Sequence, residues 1–424
     1  MDDYLVSAIS NQNNRYFVLP FYEGFYQMYY DAELFEKNGY YFKKDAVADN
    51  LNVLDLNVSI DHLFVYDETD EKSVGPDLIA GTIDDGLPVT YKDFLALTRF
   101  IAVDSATGVV PVIWTGQYLD YMTSYCVSLW ANNEGYDGML KNLTLSGTLD
   151  NLIDVDDNGN IITLAPVELT VDNGYMLQKQ RSRYETLDFL QDFLGKTYNY
   201  DPKSFGSGYS HTGAQDQFLL SRKSSSIDDI AMLIEGSWWN CEATSTFDSM
   251  ALGGSQWSRQ ERKIAVMPPL RSDRANSETT LVSLNDAYCL MNNNLTGVTK
   301  TIAEKFFRYC HTDKSLATFA KYVGMTRAFD YSLDGQDYTD LSYYAKSLYE
   351  LKKNAKVIYP ETKVAKILNN EDFFSFNTFG FTTVINGSTH TNPFRVYNND
   401  KGVTAEKYFN GMYTSTYNRW SGLV

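Results

Sequence analysis

Apolar residues follow two patterns along the chain, and together they predict strands interleaved with helices. Short apolar runs that end at glycine, proline or polar residues predict buried strands at residues 109–114, 230–234, 263–267 and 286–291. Segments with apolar residues every three or four positions predict helices at residues 90–103, 118–133, 178–194, 302–310 and 316–323. Gly324 is the predicted C-cap of the last of these, and Thr404 caps a final helix. This alternation of strands and helices is typical of an α/β fold.

Two segments differ from this alternation. Residues 16–25 form an aromatic run that Pro20 and Gly24 interrupt, which predicts a strand, a turn and a second strand. Residues 45–87 are acidic and rich in Asp and Gly, so they predict a structured loop or small hairpins.

Residues 154–161 match the first half of a calcium-binding loop, with the sequence Asp-Val-Asp-Asp-Asn-Gly-Asn-Ile. The complete loop needs a bidentate Glu at its twelfth position, where this chain has Ala165. The apolar residues on both sides resemble strands, and Asn158-Gly159 is a favoured hairpin turn. We therefore predict a β-hairpin here and no functional calcium site.

The charge balance argues against two classes of partner. The chain has 424 residues, with 54 acidic and 36 basic side chains and a net charge of −18. Nucleic acids and anionic membranes require clustered Lys and Arg, so neither is expected as a partner.

The length suggests two or three domain-sized units. No apolar stretch is long enough to span a membrane, and the N-terminus lacks the basic start and apolar core of a secretory signal. The protein is therefore cytoplasmic, or its N-terminal coding region is missing from this chain.

Catalytic and cofactor motifs are absent from the sequence. Neither HExxH nor GxSxG occurs. The four histidines are far apart and lack ligand spacing: His62, His211, His311 and His390. Leu194-Gly195-Lys196-Thr197 resembles the end of a phosphate-binding loop, but Leu190 occupies the position of its first Gly. We therefore expect no catalytic residue, metal or cofactor. A glycosidase uses a pair of carboxylates that has no recognisable spacing in sequence, so the sequence alone does not identify such a pair.

The cysteines do not form a metal-binding or redox motif. Cys126, Cys241, Cys289 and Cys310 are widely spaced, and they lie among aromatic or aliphatic neighbours. We predict free thiols that pack as small hydrophobic residues, with a disulfide as the alternative.

Several short segments resemble one family of proteins when they are taken in order. Residues 231–238 read Ala-Met-Leu-Ile-Glu-Gly-Ser-Trp, similar to the pattern A-M-x-x-x-G-x-W. Residues 28–35, 86–94, 264–270 and 303–307 resemble further segments of the same family. The family is the family 1 extracellular solute-binding proteins of ABC importers, which includes maltose-binding protein and related sugar-binding lipoproteins. Tyr30 and Arg327 depart from its usual Asn and Pro.

The resemblance implies a two-lobe, periplasmic-binding-protein-like α/β fold (class II) that closes around a ligand. Family members usually begin with a lipoprotein signal and further strands of the N-lobe, so we expect an incomplete N-lobe in this chain. The implied divisions are an N-lobe remnant at 1–22 and 270–330, a C-lobe at 24–266, and a C-terminal helical region at 331–424 that packs on the lobes.

The candidate ligand-binding residues lie where predicted strands end or cross between lobes. Ligands of α/β proteins bind at strand ends, and Trp238 and Trp114 each follow a predicted strand. Tyr118 and Tyr121 begin the helix after Trp114, and we expect at least one of these three to face the cleft. Glu23 and its neighbour Tyr22 lie at the first crossing. Trp238 could instead belong to the core, and Glu23 could be a solvated hinge carboxylate.

The implied function is that of a monomeric receptor. It would capture a small polar solute, above all a carbohydrate or oligosaccharide, and deliver it to an ABC importer. It would be extracellular and anchored to the membrane by lipid. The alternatives are a secreted carbohydrate-active hydrolase with an aromatic cleft, or a binding protein for peptides or another polar solute.

Overall fold

The structure is a computed structural model that describes residues 19–420 except 68, 157, 285–286, 330 and 361–378. The strands are β1 (Leu19–Tyr22), β2 (Tyr26–Asp31), β3 (Val110–Ile113), β4 (Gly147–Leu149), β5 (Ile153–Val155), β6 (Ile161–Thr163), β7 (Val167–Leu169), β8 (Ile230–Gly236), β9 (Ile264–Met267), β10 (Thr279–Val282), β11 (Ala287–Cys289), β12 (Ala355–Ile358), β13 (Thr383–Ile385) and β14 (Ser388–His390). The helices are α1 (Ala32–Asn38), α2 (Tyr91–Arg99), α3 (Leu119–Glu134), α4 (Tyr136–Thr144), α5 (Arg181–Gly195), α6 (His211–Ser221), α7 (Trp239–Glu242), α8 (Thr244–Ala251), α9 (Gly297–Cys310), α10 (Asp313–Val323), α11 (Gly335–Thr339), α12 (Tyr343–Lys353), α13 (Pro393–Asn399) and α14 (Ala405–Trp420).

The central sheet has the strand order β3-β8-β2-β9. β3 runs parallel to β8, whereas β2 lies antiparallel to both β8 and β9. Every residue of β2, β8 and β9 is buried, because helices cover both faces of the sheet. Side chains therefore alternate between two hydrophobic clusters. Met28 and Ile234 belong to one of them, and Tyr29 and Leu233 belong to the other.

The strands and helices predicted from apolar spacing are confirmed, with ends that differ by a few residues. Thr90 caps α2 in a reciprocal capping box with Asp93, and Gly324 ends α10 in a left-handed conformation with φ of 81°. The sequence patterns did not predict α1 or α8. The sequence of α8, TSTFDSMA, is short and rich in Ser and Thr, which compete with the backbone for hydrogen bonds. Residues 331–424 contain helices as predicted, together with β12, β13 and β14.

The predicted hairpin near residue 158 is confirmed. β5 and β6 pair antiparallel, and Gly159 in the turn has a φ of 80°. The side chain and the backbone N–H of Asn160 both donate to the Asp156 carboxylate, which lowers its pKa. Lys179 Nζ lies 3.0 Å from a carboxylate oxygen of Asp154. These carboxylates are therefore engaged by protein donors within the described part of the loop.

All four cysteines are unpaired, as the sequence suggested. Cys126 is buried in the core, and burial raises the pKa of its thiol well above the ordinary range. No helix in the described part of the chain is both long enough and apolar enough to cross a bilayer.

Outside the central sheet, two strand pairs connect distant parts of the chain. β1 pairs antiparallel with β11, so the segments around residues 20 and 288 lie together. β10 pairs in parallel with β12, so residues 279–282 contact the C-terminal region. Residues 1–18, part of the predicted N-lobe, lie outside the described residues.

Helix α9 has an apolar stripe that faces solvent. The helix buries none of its side chains. Four large apolar side chains recur at helical spacing and are 55–76% exposed: Val298, Ile302, Phe306 and Tyr309. We call these four residues the α9 stripe. An apolar row on one helix face is normally covered, so the stripe differs from scattered exposed apolar residues.

The exposure of the α9 stripe can be tested by substitution. We expect Ile302→Gln and Phe306→Gln to change the free energy of unfolding by less than about 0.5 kcal/mol, because little apolar area is lost from the interior. Leu348→Ala in α12 is the control, since Leu348 is fully buried. That change should cost about 2–5 kcal/mol. Urea unfolding measures all three, and equal losses would mean that the stripe is covered in solution.

Candidate ligand-binding site

Four aromatic side chains meet at one edge of the central sheet. The ring centroids of Tyr26 and Trp238 are 5.1 Å apart and those of Tyr26 and Tyr121 are 5.3 Å apart, both in edge-to-face geometry. The Tyr121 and Trp238 centroids are 6.0 Å apart, and the Tyr118 and Tyr121 centroids 6.2 Å. We call these four residues the aromatic platform. Tyr118 is 41% exposed, Tyr121 and Trp238 are half-buried, and Tyr26 lies beneath them.

The sheet places these rings together. β3 and β8 are parallel, so their carboxyl ends meet at the same edge, where Tyr118 and Trp238 follow them. β2 is antiparallel and begins at that edge with Tyr26, which pairs with Gly236. The ring of Trp238 folds back over Gly236, where a Cβ atom would lie 2.2 Å from it. Glycine at position 236 is therefore required for this position of the indole.

Polar groups border the platform on the side of α6. The centroid of His211, the first residue of α6, is 5.0 Å from that of Tyr118 and 6.0 Å from that of Tyr121. His211 Nε2 is 3.2 Å from Glu242 Oε1, and Gln215 donates a 2.8 Å hydrogen bond to the other oxygen of Glu242. The site therefore combines ring faces with hydrogen-bonding groups on one surface.

A second carboxyl group, Glu235, is fully buried directly behind this surface. Burial raises its pKa to about 8, and the charge of Glu242 acts in the same direction. The Gly236 N–H donates to it at 2.9 Å, which partly opposes this rise. Its cross-strand partner Gln27 is also fully buried, and its side-chain amide has no hydrogen-bond partner among the described residues. Glu235 is therefore mainly protonated at neutral pH.

Three of the sequence-predicted residues, Trp238, Tyr118 and Tyr121, come together in the platform. Tyr22 is half-buried and close enough to Tyr26 to raise the pKa of its hydroxyl, after larger effects from burial and nearby carboxylates. Tyr22 therefore lies beside the platform and remains a candidate.

Trp114 does not lie with the platform. Its side chain is 1% exposed and packs in the core against four aromatic rings, those of Phe193, Tyr200, Phe205 and Phe394. The helical layer on that side of β3 covers the Trp114 ring. A position directly after a strand is therefore not sufficient to place a ring in a cleft. We leave Trp114 out of the candidate site.

Glu23 is neither a cleft residue nor a solvated hinge carboxylate in this structure. It is fully buried, and the Tyr359 hydroxyl donates to its Oε2 at 2.6 Å. Lys352 Nζ lies 3.6 Å from its Oε1. Glu23 therefore connects the crossing segment to α12 and to Tyr359 after β12, and removal of this carboxylate would leave the half-buried Lys352 with only backbone carbonyls as hydrogen-bond partners among the described residues.

Sequence reasoning missed His211, Gln215, Glu242 and the contribution of Tyr26. The position of Tyr26 depends on its pairing with Gly236, which is not visible without the register of the sheet. His211 and Gln215 are one helical turn apart on α6, so helical spacing together with the Ser210 cap was the one available signal.

Comparison with known proteins gives a result only at the level of structure. No family model matches the chain, and no curated protein matches it. The maltose-bound structure of MalE3 from T. maritima is similar with a TM-score of 0.50 and 13% sequence identity, over 97% of this chain and 75% of that one. RafE in complex with raffinose also has a TM-score of 0.50, with 14% identity over 99% of this chain and 79% of that one.

The apo-form of RafE from Streptococcus pneumoniae matches equally, with a TM-score of 0.50 and 14% identity over 99% of this chain and 77% of that one. These similarities confirm the predicted fold class, a mixed α/β fold of the two-lobe solute-binding type. The incompleteness of the N-lobe and the domain boundaries stay predictions.

The buried Glu235 predicts a dependence of stability on pH. Its pKa is about 8 in the folded protein and close to 4.5 when unfolded, so between these values the folded state binds the extra proton. Stability therefore falls as pH rises from about 4.5 to 8. Glu235→Gln stays neutral and removes this loss. Relative to the unmodified protein, we expect the variant to gain a few kcal/mol between pH 5 and pH 8, since one pKa unit corresponds to about 1.4 kcal/mol.

Chemical denaturation at several pH values measures this gain. Parallel stability curves for Glu235→Gln and the unmodified protein would contradict the assignment of a neutral carboxyl at this position. Thr186→Val, a substitution of a buried polar group away from the platform, controls for effects of altered packing that do not depend on pH.

Proposed function

We propose that this protein is a solute-binding receptor that takes up a carbohydrate or oligosaccharide on the aromatic platform. The platform is the observation that carries the proposal. Sugar rings present C–H groups that pack on Trp and Tyr faces, while their hydroxyls bond to carboxylate, imidazole and amide groups. Trp238 and Tyr121 supply ring faces, and His211 and Glu242 supply polar groups next to them.

Proteins with a similar fold support the carbohydrate class. Solved structures of that kind are described as maltose-bound MalE3 and as RafE in complex with raffinose. Both are complexes with a sugar, in agreement with a receptor in preference to a hydrolase. We propose accordingly that the chain binds its sugar without cleaving it and delivers it to an ABC importer. Such a receptor would act as an extracellular monomer with a lipid anchor.

A two-lobe receptor needs a second wall opposite the platform. We propose that β1, β11 and α9 belong to that second lobe, within residues 1–22 and 270–330, and that residues 24–266 form the lobe with the platform. Among the described residues, the β1–β11 sheet has two strands, and a pair of strands is marginally stable alone. The α9 stripe is exposed. Both features support further polypeptide that packs on the stripe and completes the lobe.

Substitution of Trp238 tests the proposed function. Trp238→Ala removes one ring face and its neighbouring contacts, and it should weaken sugar binding about tenfold to hundredfold. Each 1.4 kcal/mol of lost binding free energy corresponds to about a tenfold lower affinity. The fold should remain intact, since Trp238 is partly exposed. Isothermal titration calorimetry with maltose and raffinose gives the affinity, and analysis of the recovered sugar shows whether it stays intact.

The adjacent Trp239 is the matched control. It is fully buried among Tyr29, Phe218 and Tyr344, so Trp239→Ala should lower the free energy of unfolding by about 3–5 kcal/mol. Unchanged sugar affinity in Trp238→Ala would remove the platform from the binding site. Release of reducing ends would favour the hydrolase, and binding of peptides instead of sugars would favour the other alternative.

A further inference from the structure

Two carboxylates, those of Asp120 and Glu242, lie around the aromatic platform, and the guanidinium of Arg395 donates to the Gly116 carbonyl two residues before Tyr118. Asp120 is exposed in the first turn of α3, between Tyr118 and Tyr121. Glu242 reaches the platform through His211, which it contacts at 3.2 Å and which packs on both tyrosines. Asp120 also acts on the buried hydroxyl of Tyr26. Burial, then Glu235 and then Asp120 raise its pKa to about 12.

Positive groups at this surface are weaker. Two helix N-termini, those of α3 and α6, point to the platform, and each corresponds to about half a positive charge. Asp120 lies in the first turn of α3, so its charge offsets the positive end of that helix. At the start of α6, the Ser210 side chain accepts a hydrogen bond from the Gly213 N–H and so occupies one of the free N–H groups. His211 is the basic side chain in contact with the rings, and it shares the carboxylate of Glu242. The guanidinium of Arg395 is engaged by the backbone, so the two carboxylates leave the surface beside the rings with net negative charge when His211 is neutral.

From this arrangement, which rests on the proposed function, we infer that the solute of this receptor is uncharged or positively charged. Asp120 and Glu242 are the residues that exclude sugars with a carboxylate, such as uronic acids. A carboxylate on the sugar would lie close to the exposed carboxylate of Asp120 and to that of Glu242, which His211 and Gln215 hold in place, and such repulsion discriminates against a competing ligand that otherwise fits. A neutral sugar meets no such repulsion, because its hydroxyls donate to the same oxygens.

The charge at the platform can be measured without any sugar. Four of the six tryptophans are at most 1% exposed: Trp114, Trp130, Trp239 and Trp420. The other two, Trp238 and Trp257, are half-buried. In a Trp257→Phe background, collisional quenching of fluorescence therefore reports on Trp238. Iodide, caesium and neutral acrylamide sample the potential at this ring, at pH 7.5 and constant low ionic strength.

We expect iodide to quench Trp238 poorly relative to acrylamide, and caesium to quench it well. In Asp120→Asn/Glu242→Gln the ratio of iodide to acrylamide quenching should rise about twofold or more, and the difference should shrink in 0.5 M salt. Asp137→Asn is the matched control, since Asp137 is also an exposed acid in the first turn of a helix, α4, and should leave the ratio unchanged. An unchanged ratio in the double variant would overturn the inference.

Binding then tests the selectivity. The probes are maltose, its analogue with one primary alcohol oxidised to a carboxylate, and its analogue with an amino group. We expect the acid to bind at least tenfold more weakly than maltose, and the difference to narrow to about threefold or less in the double variant. An acid that binds as tightly as maltose would overturn the inference. If neither maltose nor raffinose binds, the proposed function fails. The quenching ratios then still decide whether Asp120 and Glu242 set the charge of this surface.

Discussion

The pairing of Tyr26 with Gly236 is the constraint on which the candidate site depends. It fixes the register of β2 against β8, and with it the position of Tyr26 against Trp238 and Tyr121. A shift of one residue would move the side chains of β2 to opposite faces, exchange Tyr29 with Tyr30 between the two hydrophobic clusters, and take Tyr26 away from Trp238. Gly236 adds a second condition, because the indole ring occupies the space where any other residue would have its Cβ.

Two buried carboxyl groups near the first crossing, those of Glu23 and Glu235, show how the neighbours of a carboxyl group affect whether it is ionised. Glu23 has a lysine and a tyrosine hydroxyl as partners, so it joins the crossing segment to α12 and to Tyr359 after β12. Among the described residues, Glu235 has an amide N–H and the side chain of Gln215 as hydrogen-bond donors, and the charge of Glu242 acts against its ionised form. The first contributes to the architecture, whereas the second keeps the layer beneath the platform free of charge at neutral pH.

The fold class was predictable because the central strands are apolar on both faces and alternate with amphipathic helices. The hairpin at Asn158-Gly159 was predictable for a separate reason, because the residues that favour its turn are adjacent in sequence. The site was only partly predictable. Trp238, Tyr118 and Tyr121 follow strands and come together at one edge of the sheet, but the same rule applied to Trp114, which helices cover. The burial of Glu23 depends on Lys352 and Tyr359, which are more than 300 residues away in sequence, and no local pattern contains that information.

The exposed stripe of α9 also affects how this part of the molecule holds its shape. A helix of 14 residues that buries no side chain depends mainly on its own backbone hydrogen bonds, and isolated helices of this length are marginal in water. The amide protons of α9 should therefore exchange with solvent through local opening, independently of the central sheet, whose exchange requires much larger opening. Any polypeptide that covers the stripe would then do more than hide apolar area. It would join α9 to the cooperative unit of the sheet, so that association and the ordering of this helix become one thermodynamic event.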